Sequence, residues 1–474
     1  MTISDIIAII PLLIIAFGIV LQLLLIAWRR SQVTISMMTL AILLTTSASL
    51  CLNFSSQPHQ VTVLLSVDSY SSFAFLLAIV CAIFVVVFSR AVLAQSIEVH
   101  DEYYVLLLLV VLGAGTLTYA DHFASLFLGF ELLSIAFVGL VGYLREHKLS
   151  VESGFKYLVL SATASSFMLL GIAFIYSQTG QLSFKFANPD MATELIFYQV
   201  GVLLLFVGVL FKLSIAPFHL WTPDIYQGAP ASVTMMLATV SKVAMFMVLV
   251  KFWFELQLFA QVVLKELVSF VAILSMLIGN ILALKQHNVK RLLAYSSIAH
   301  MGYLLIVLIV TSSSGIVFVK QSLLFYLAAY VVATLSLFSV IIILSIKNKS
   351  DSELNVDNFS GLFWLSPMLS GLAIFSILSL AGIPLTMGFI GKFYILSHAT
   401  ITQSWGLISA LIIGSAISLF YYLKLIFVQF ANTEKDITEH KLLLSHRVML
   451  SVLATVSIVL GIYPDFLSAF LQNL

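Results

Sequence analysis

The sequence predicts an all-α polytopic membrane protein, and three observations carry that prediction. Apolar runs of about 20 residues recur from end to end, the length a helix needs to cross a hydrocarbon core and twice that of a barrel strand. The side chains are 61% hydrophobic and 9% charged, with a mean hydropathy of +1.12, against about 25% charged in soluble domains. Lysine and arginine gather on alternate connections, the pattern of a chain threaded back and forth across a bilayer.

About fourteen spans follow, near residues 4–28, 33–53, 69–89, 103–120, 122–144, 152–178, 195–217, 231–250, 261–284, 292–310, 317–346, 367–396, 403–430 and 448–471. The first is retained: only Asp5 precedes it and Arg29-Arg30 follow, whereas a cleavable leader carries basic residues before its apolar region. The division of 103–144 is the least distinct. With the N-terminus outside, the inner connections hold Arg29, Arg30, Arg90, Arg145, Lys148, Lys285, Lys290, Arg291, Lys347, Lys349, Lys435, Lys441 and Arg447, 13 of the 22 basic residues. The outer connections and margins hold Lys185, Lys251, Lys265 and Lys320. An even number of spans returns the C-terminus to the outer side.

Composition also excludes. A net charge of +1 points to no nucleic acid. Cys51 and Cys81 make no disulfide framework or metal spacing and read as small packing residues. There is no nucleotide loop, CxxC, HExxH or haem signature, so nothing suggests redox chemistry on a cofactor held by this chain.

Five basic residues fall inside spans: Lys156, Lys212, Lys242, Lys392 and Lys424. Lys424 is near an inner end and can snorkel to the headgroups. For the other four, a charge at a helix centre costs roughly 2.5–3.5 kcal/mol, and such groups face a bundle interior or a water-filled path. Glu131 sits mid-span in SLFLGFELLSIAF, as a proton site, an ion-pair partner or a hydrogen-bonded structural carboxyl. Burial disfavours a lysine's ammonium and a nearby carboxylate favours it, so a lysine whose partner can approach or retreat is a switchable proton carrier. Fixed structural ion pairs are the plainer alternative.

Two helices read as broken. Pro217 interrupts LFKLSIAPFHLWTPD, and Gly382-Ile383-Pro384 interrupts ILSLAGIPLTMGF. Proline removes a donor and clashes with the preceding turn, and freed backbone groups at membrane depth are tolerated only inside protein or beside water. Paired interruptions point to an inverted-repeat transport site, with two simple proline kinks as the alternative. The two lysines are not symmetric: Lys212 precedes its proline by five residues, and Lys392 follows Pro384 by eight. Ser296, Ser297 and His300 line one span, and a histidine titrating near roughly pH 6.5 suits a relay. Glu152 and Lys156 at i,i+4 can pair. His219 and Asp224 read as the inner approach to the first break.

The stretches SLFLGFELLSIAFVGLVGY, ESGFKYLVLSATASS, LFKLSIAPFHLWTPDIYQGAPASVTMMLATVSKVAMF, NVKRLLAYSSIAHMGYLL and LSLAGIPLTMGFIGKFYIL resemble the antiporter-like membrane subunits of respiratory complex I. The resemblance runs from about residue 105 to 425 and is nearest the N-type subunit of the bacterial NADH:quinone oxidoreductase. It implies about fourteen transmembrane helices with two inverted five-helix repeats and two discontinuous helices: N-terminal spans in 1–102, a first repeat in 103–250, a second in 261–430 and a final span at 448–471. It implies that Glu131 pairs with Lys212, that Lys242 is the central lysine of the next helix, and that Lys392 belongs to the exit half-channel. Glu152, Lys156, His219 and His300 take secondary places along a hydrophilic axis. It further implies proton pumping in a bacterial inner membrane, driven by partner subunits that hold FMN, iron–sulfur clusters and quinone. The multi-subunit sodium/proton antiporters share most of these motifs.

Overall fold

Each apolar run becomes a helix, and the two interrupted runs become two helices each. The computed structural model describes residues 2–54, 59–94, 101–185, 196–310, 316–348, 351–431 and 443–474. Lys349, Lys435 and Lys441 lie outside the described residues. The order begins α1 (Ile3–Ala27), α2 (Gln32–Leu52), a small hairpin of β1 (His59–Gln60) and β2 (Ser66–Val67), α3 (Ser69–Leu93), α4 (Glu102–Thr118), α5 (Phe123–Val141) and α6 (Lys148–Thr179). Then come α7 (Ile196–Leu213), α8 (Trp221–Gly228), α9 (Ala231–Glu255), α10 (Val262–Ala283), α11 (Val289–Ile309) and α12 (Ile316–Asn348). The chain continues through α13 (Leu362–Leu365), α14 (Pro367–Ala381), α15 (Met387–Ile401), α16 (Trp405–Gln429), α17 (Leu444–Ile462) and α18 (Asp465–Gln472).

Among the described residues, twelve helices are long and apolar enough to cross a membrane. The 17-residue α4 and the split pair α14/α15 supply the other two of the fourteen expected spans. The chain is a multi-pass membrane protein. The indistinct 103–144 region divides where expected, at Tyr119–His122, where the chain turns back and Ala120 bridges to Leu65. Two boundaries differ from expectation. Helix α6 starts at Lys148, because 32 residues continue without a breaker until Gly180 caps it at φ +65°. The final run divides at Pro464 into α17 and the short α18.

Burial sorts the helices. The spans of α9, α11 and α12 are almost wholly enclosed, whereas α1, α6, α10 and α17 bury a third or so of theirs. A helix with apolar and small residues all round can be surrounded by others, and in a bilayer the remaining apolar faces meet lipid. Cys81 packs inside α3 as expected, but Cys51 is exposed on α2. Close approach rests on small residues: a Cβ on Gly171 of α6 would come within 2.5 Å of the Gly201 carbonyl of α7. The segments 103–250 and 261–430 each contain one broken helix, and α9 of the first packs against α11 and α12 of the second.

Both chain ends lie on one face. Asp5 closes a capping box with Thr2 at the start of α1 and pairs with His59 Nε2 at 2.8 Å, and Ser69 Oγ donates to the Leu474 carbonyl at 2.6 Å. On the opposite face the fully buried Lys290 donates to the Ala229 carbonyl (2.8 Å) and to Asp351 (3.2 Å). Asp351 also accepts from the Ala231 N–H at 2.7 Å, capping the central helix α9. Asp351→Ala therefore leaves a buried ammonium and a helix start unpaired, and should cost roughly 1–3 kcal/mol. A lowered thermal unfolding midpoint in detergent checks this, and adding Lys290→Met should recover part of the loss.

Candidate functional site

Helix α7 ends at Leu213, and Ser214 turns the chain at φ +61° before a cis Ala216–Pro217 bond. A helix that stops inside the protein leaves its last carbonyls without intrahelical donors and presents a partial negative charge. Side chains from three helices answer this end. Lys242 of α9 donates to the Lys212 carbonyl (3.1 Å) and to Ser214 Oγ (2.5 Å). The Trp221 indole of α8 donates to the Phe211 carbonyl (2.9 Å). Ser275 Oγ of α10 accepts from the Ala216 N–H (2.7 Å). The Lys242 ammonium also lies 5.5 Å from the centre of the Trp221 ring, a cation–π contact.

Lys212 belongs to the same turn, but its side chain points the other way. Its ammonium is buried and donates to Ser134 Oγ (2.8 Å) and Tyr157 OH (2.7 Å), among the rings of Phe130, Phe137 and Tyr157. The expected partner Glu131 is one turn from Ser134 on α5, and no ion pair within 4 Å joins it to Lys212 among the described residues. Two hydroxyl groups take the direct hydrogen bonds of the ammonium instead. Glu131 Oε1 is buried without a hydrogen-bond partner, as are both ring nitrogens of His219, Thr222 Oγ1 and Tyr226 OH around the same break. Buried polar atoms of this kind are satisfied by water when the protein offers no partner.

The second break repeats the chemistry of the first. Helix α14 stops at Ala381, and Gly382 caps it at φ +82°. Lys392 of α15 donates to the Leu380 (3.1 Å) and Ala381 (2.9 Å) carbonyls and lies 5.1 Å from the Tyr303 ring centre. The group it matches in role is thus Lys242, not Lys212: each is an ammonium seated on the exposed carbonyls of a half-helix. This accounts for the unequal lysine–proline spacing in the sequence.

Between the breaks runs a polar seam. His300 Nδ1 lies 2.7 Å from Tyr326 OH, and Nε2 lies 3.4 Å from Tyr422 OH, which also bonds Ser296. Tyr330 OH donates to Ser297 Oγ (2.8 Å), and Asn280 joins Tyr303 (2.9 Å) to Tyr421 (3.0 Å). On the face opposite the chain ends, Lys156 bonds Glu152 (2.7 Å) and Asp224 (3.2 Å), while Arg291 of α11 bonds Asp224 (2.6 Å). Lys156 is not enclosed in the bundle as the sequence reading expected: its side chain is 42% exposed, early in the long helix α6. Lys424 is exposed as expected.

Residues 120–418 match the family described as NADH:quinone oxidoreductase/Mrp antiporter, transmembrane. The chain belongs to this family. It is similar to a chain of respiratory complex I from Thermus thermophilus, with 30% identity and a TM-score of 0.84 over 98% of this chain and 100% of that one. Its fold is also that of a chain of the Mrp complex from Dietzia sp. (19% identity, TM-score 0.87, 100% and 97% covered) and of a chain of an archaeal membrane-bound sulfane sulfur reductase (24%, 0.83, 99% and 96%). As an antiporter-like subunit of this family, the chain places three buried lysines and a glutamate at or beside its two broken helices.

The sequence reading missed the tyrosines. Tyr157 holds Lys212, Tyr326 and Tyr422 hold His300, and Tyr303 lies beneath Lys392. One signal was available: Tyr326 and Tyr330 are four residues apart and share a helix face. Gly382 is the glycine of the second break that lies against Lys392. A Cβ there would come within 2.8 Å of Lys392 Cδ, and the left-handed backbone costs a non-glycine residue about 1–2 kcal/mol. Gly382→Ala should displace the Lys392 ammonium and lower ion translocation in assembled protein, whereas Gly371→Ala, with nothing within 4 Å, should leave it unchanged.

Proposed function

We propose that the chain is a proton-translocating membrane-arm subunit of an NADH:quinone oxidoreductase of the complex I type, and within it the N-type subunit. The observation that carries this reading is the pair of buried lysines at the first break, Lys212 on the interrupted helix α7 and Lys242 on α9. One ammonium sits on the carbonyls of the break, and the other is held by Tyr157 and by Ser134, one turn from Glu131 on α5. A proton added at either site changes the field at the other across a single turn, in surroundings where charges interact strongly. The 30% identity to the Thermus thermophilus complex I chain over essentially its full length favours this branch of the family.

Protons enter from the face that carries Asp224, Glu152 and Lys156, and His219 lines the way to the break. Glu131 and Lys212 take up and hold charge. Lys242 hands it toward Ser297 and His300, and Lys392 receives it at the second break. Driving force comes from NADH oxidation and quinone reduction on partner subunits that hold FMN, iron–sulfur clusters and quinone; this chain binds protons only. The membrane is the bacterial cytoplasmic membrane, with both termini on its outer face. Residues 103–250 and 261–430 act as two inverted repeats, each supplying one half of the path.

Lys212→Ala and Glu131→Ala should each lower the number of protons moved per electron pair in the assembled oxidoreductase, measured with an entrapped pH dye against NADH oxidation. Normal stoichiometry in both variants would overturn the relay. Sodium/proton exchange without NADH:quinone reductase activity in the purified complex would instead favour the antiporter reading, which shares the fold of the Mrp chain.

A further inference from the structure

Helix α12 carries a ladder of hydroxyl groups at Ser322, Tyr326 and Tyr330. Spacing of four puts all three on one face, in steps of about 6 Å along the axis. Each rung is bonded to a different partner. Tyr330 OH donates to Ser297 Oγ, and Tyr326 OH bonds His300 Nδ1, both on α11. Ser322 Oγ lies 3.2 Å from Nε2 of His398 on α15. The first two rungs belong to the seam already described. The third leads away from it, toward the face that holds both chain ends.

His398 is 7% exposed and continues the inward stripe of α15, where Gly391, Lys392, Ile395, His398 and Ala399 are all buried. Its ring lies against Phe318 with centroids 4.3 Å apart. Ser322 Oγ also lies 2.8 Å from the Phe318 carbonyl; with the serine hydrogen assigned to that carbonyl, Nε2 of the neutral ring is the donor to Ser322 Oγ. Nδ1 is then the nitrogen that takes the second proton. Three residues beyond His398 the helix ends, and Thr402, which donates to the His398 carbonyl, leads to the exposed Gln403. At the other end, Gly391 lets the Tyr326 ring lie directly on α15 beside Lys392, because a side chain at 391 would occupy the ring's place.

We infer that His398 is the last titratable station on the outward path, taking a proton from Lys392 and releasing it to water at the face of the chain ends. The inference rests on the relay proposed above. The Lys392 ammonium gives up one proton by way of Tyr326, Ser322 and bridging water. The imidazole gains it to become imidazolium, then loses one proton to the water beyond Thr402. No net charge stays on the ladder after a cycle. A hydrogen-bonded structural histidine would need the bond to Ser322 but not a second proton.

The deciding variant is His398→Gln, whose amide keeps a donor for Ser322 and cannot carry a proton. In membranes holding the assembled complex it should slow outward proton release roughly tenfold or more, the scale on which a positioned acid–base group acts. Imidazole added to the outer solution should restore release in His398→Ala. Ser322→Ala, which leaves the imidazole in place, should lower release with assembly unchanged, and it decides the matter if neither His398 variant assembles. Normal release in His398→Gln, or in Ser322→Ala where it decides, beside an impaired Lys392→Ala would overturn the station while leaving the relay intact. Normal release in Lys392→Ala as well would overturn the relay itself.

Discussion

The rest of the structure depends on a lysine ammonium resting on the carbonyls of a helix that stops inside the bilayer. A helix broken at that depth presents unpaired backbone oxygens where no bulk water reaches, and a lysine at that depth is itself costly, by roughly 2.5–3.5 kcal/mol. Put together, each defect offsets the other. Lys242 does this for α7 and Lys392 does it for α14. The contact is strongest while the ammonium keeps its charge, which makes the backbone of each break sensitive to a proton.

The surrounding bundle serves that constraint. The most enclosed helices, α9, α11 and α12, carry Lys242, His300 and the tyrosine ladder, and the peripheral helices keep lipid away from them. Aromatic rings rather than carboxylates surround the ammonium groups of Lys212, Lys242 and Lys392. A ring face attracts a cation without fixing a counter-charge beside it, so the charge can be given up. A direct carboxylate contact would hold the proton more tightly, and the hydroxyl groups of Ser134 and Tyr157 keep Glu131 one step away from Lys212.

The two breaks are alike in chemistry and unlike in chain order. At the first, the capping lysine comes from the following helix, α9. At the second, it comes from the far half of the same broken helix, α15. Spacing from the proline therefore could not reveal which lysines correspond. The common element is the exposed carbonyl pair, which has no signature in the side-chain sequence.

The sequence by itself determined the span count, the broken helices and the buried lysines Lys212, Lys242 and Lys392, because transfer to lipid acts on each segment separately and penalises every charge by its position along the chain. It also showed Glu152 and Lys156 as a pair, since i,i+4 geometry is local. Only the tertiary structure decided what each charge touches. Lys212 faces Ser134 and Tyr157, His300 faces Tyr326 and Tyr422, and Lys156 emerges at the surface. Those contacts join helices from 26 to more than 120 residues apart in the chain, and a hydrophobic span reads the same in sequence whichever neighbours its polar residues turn toward.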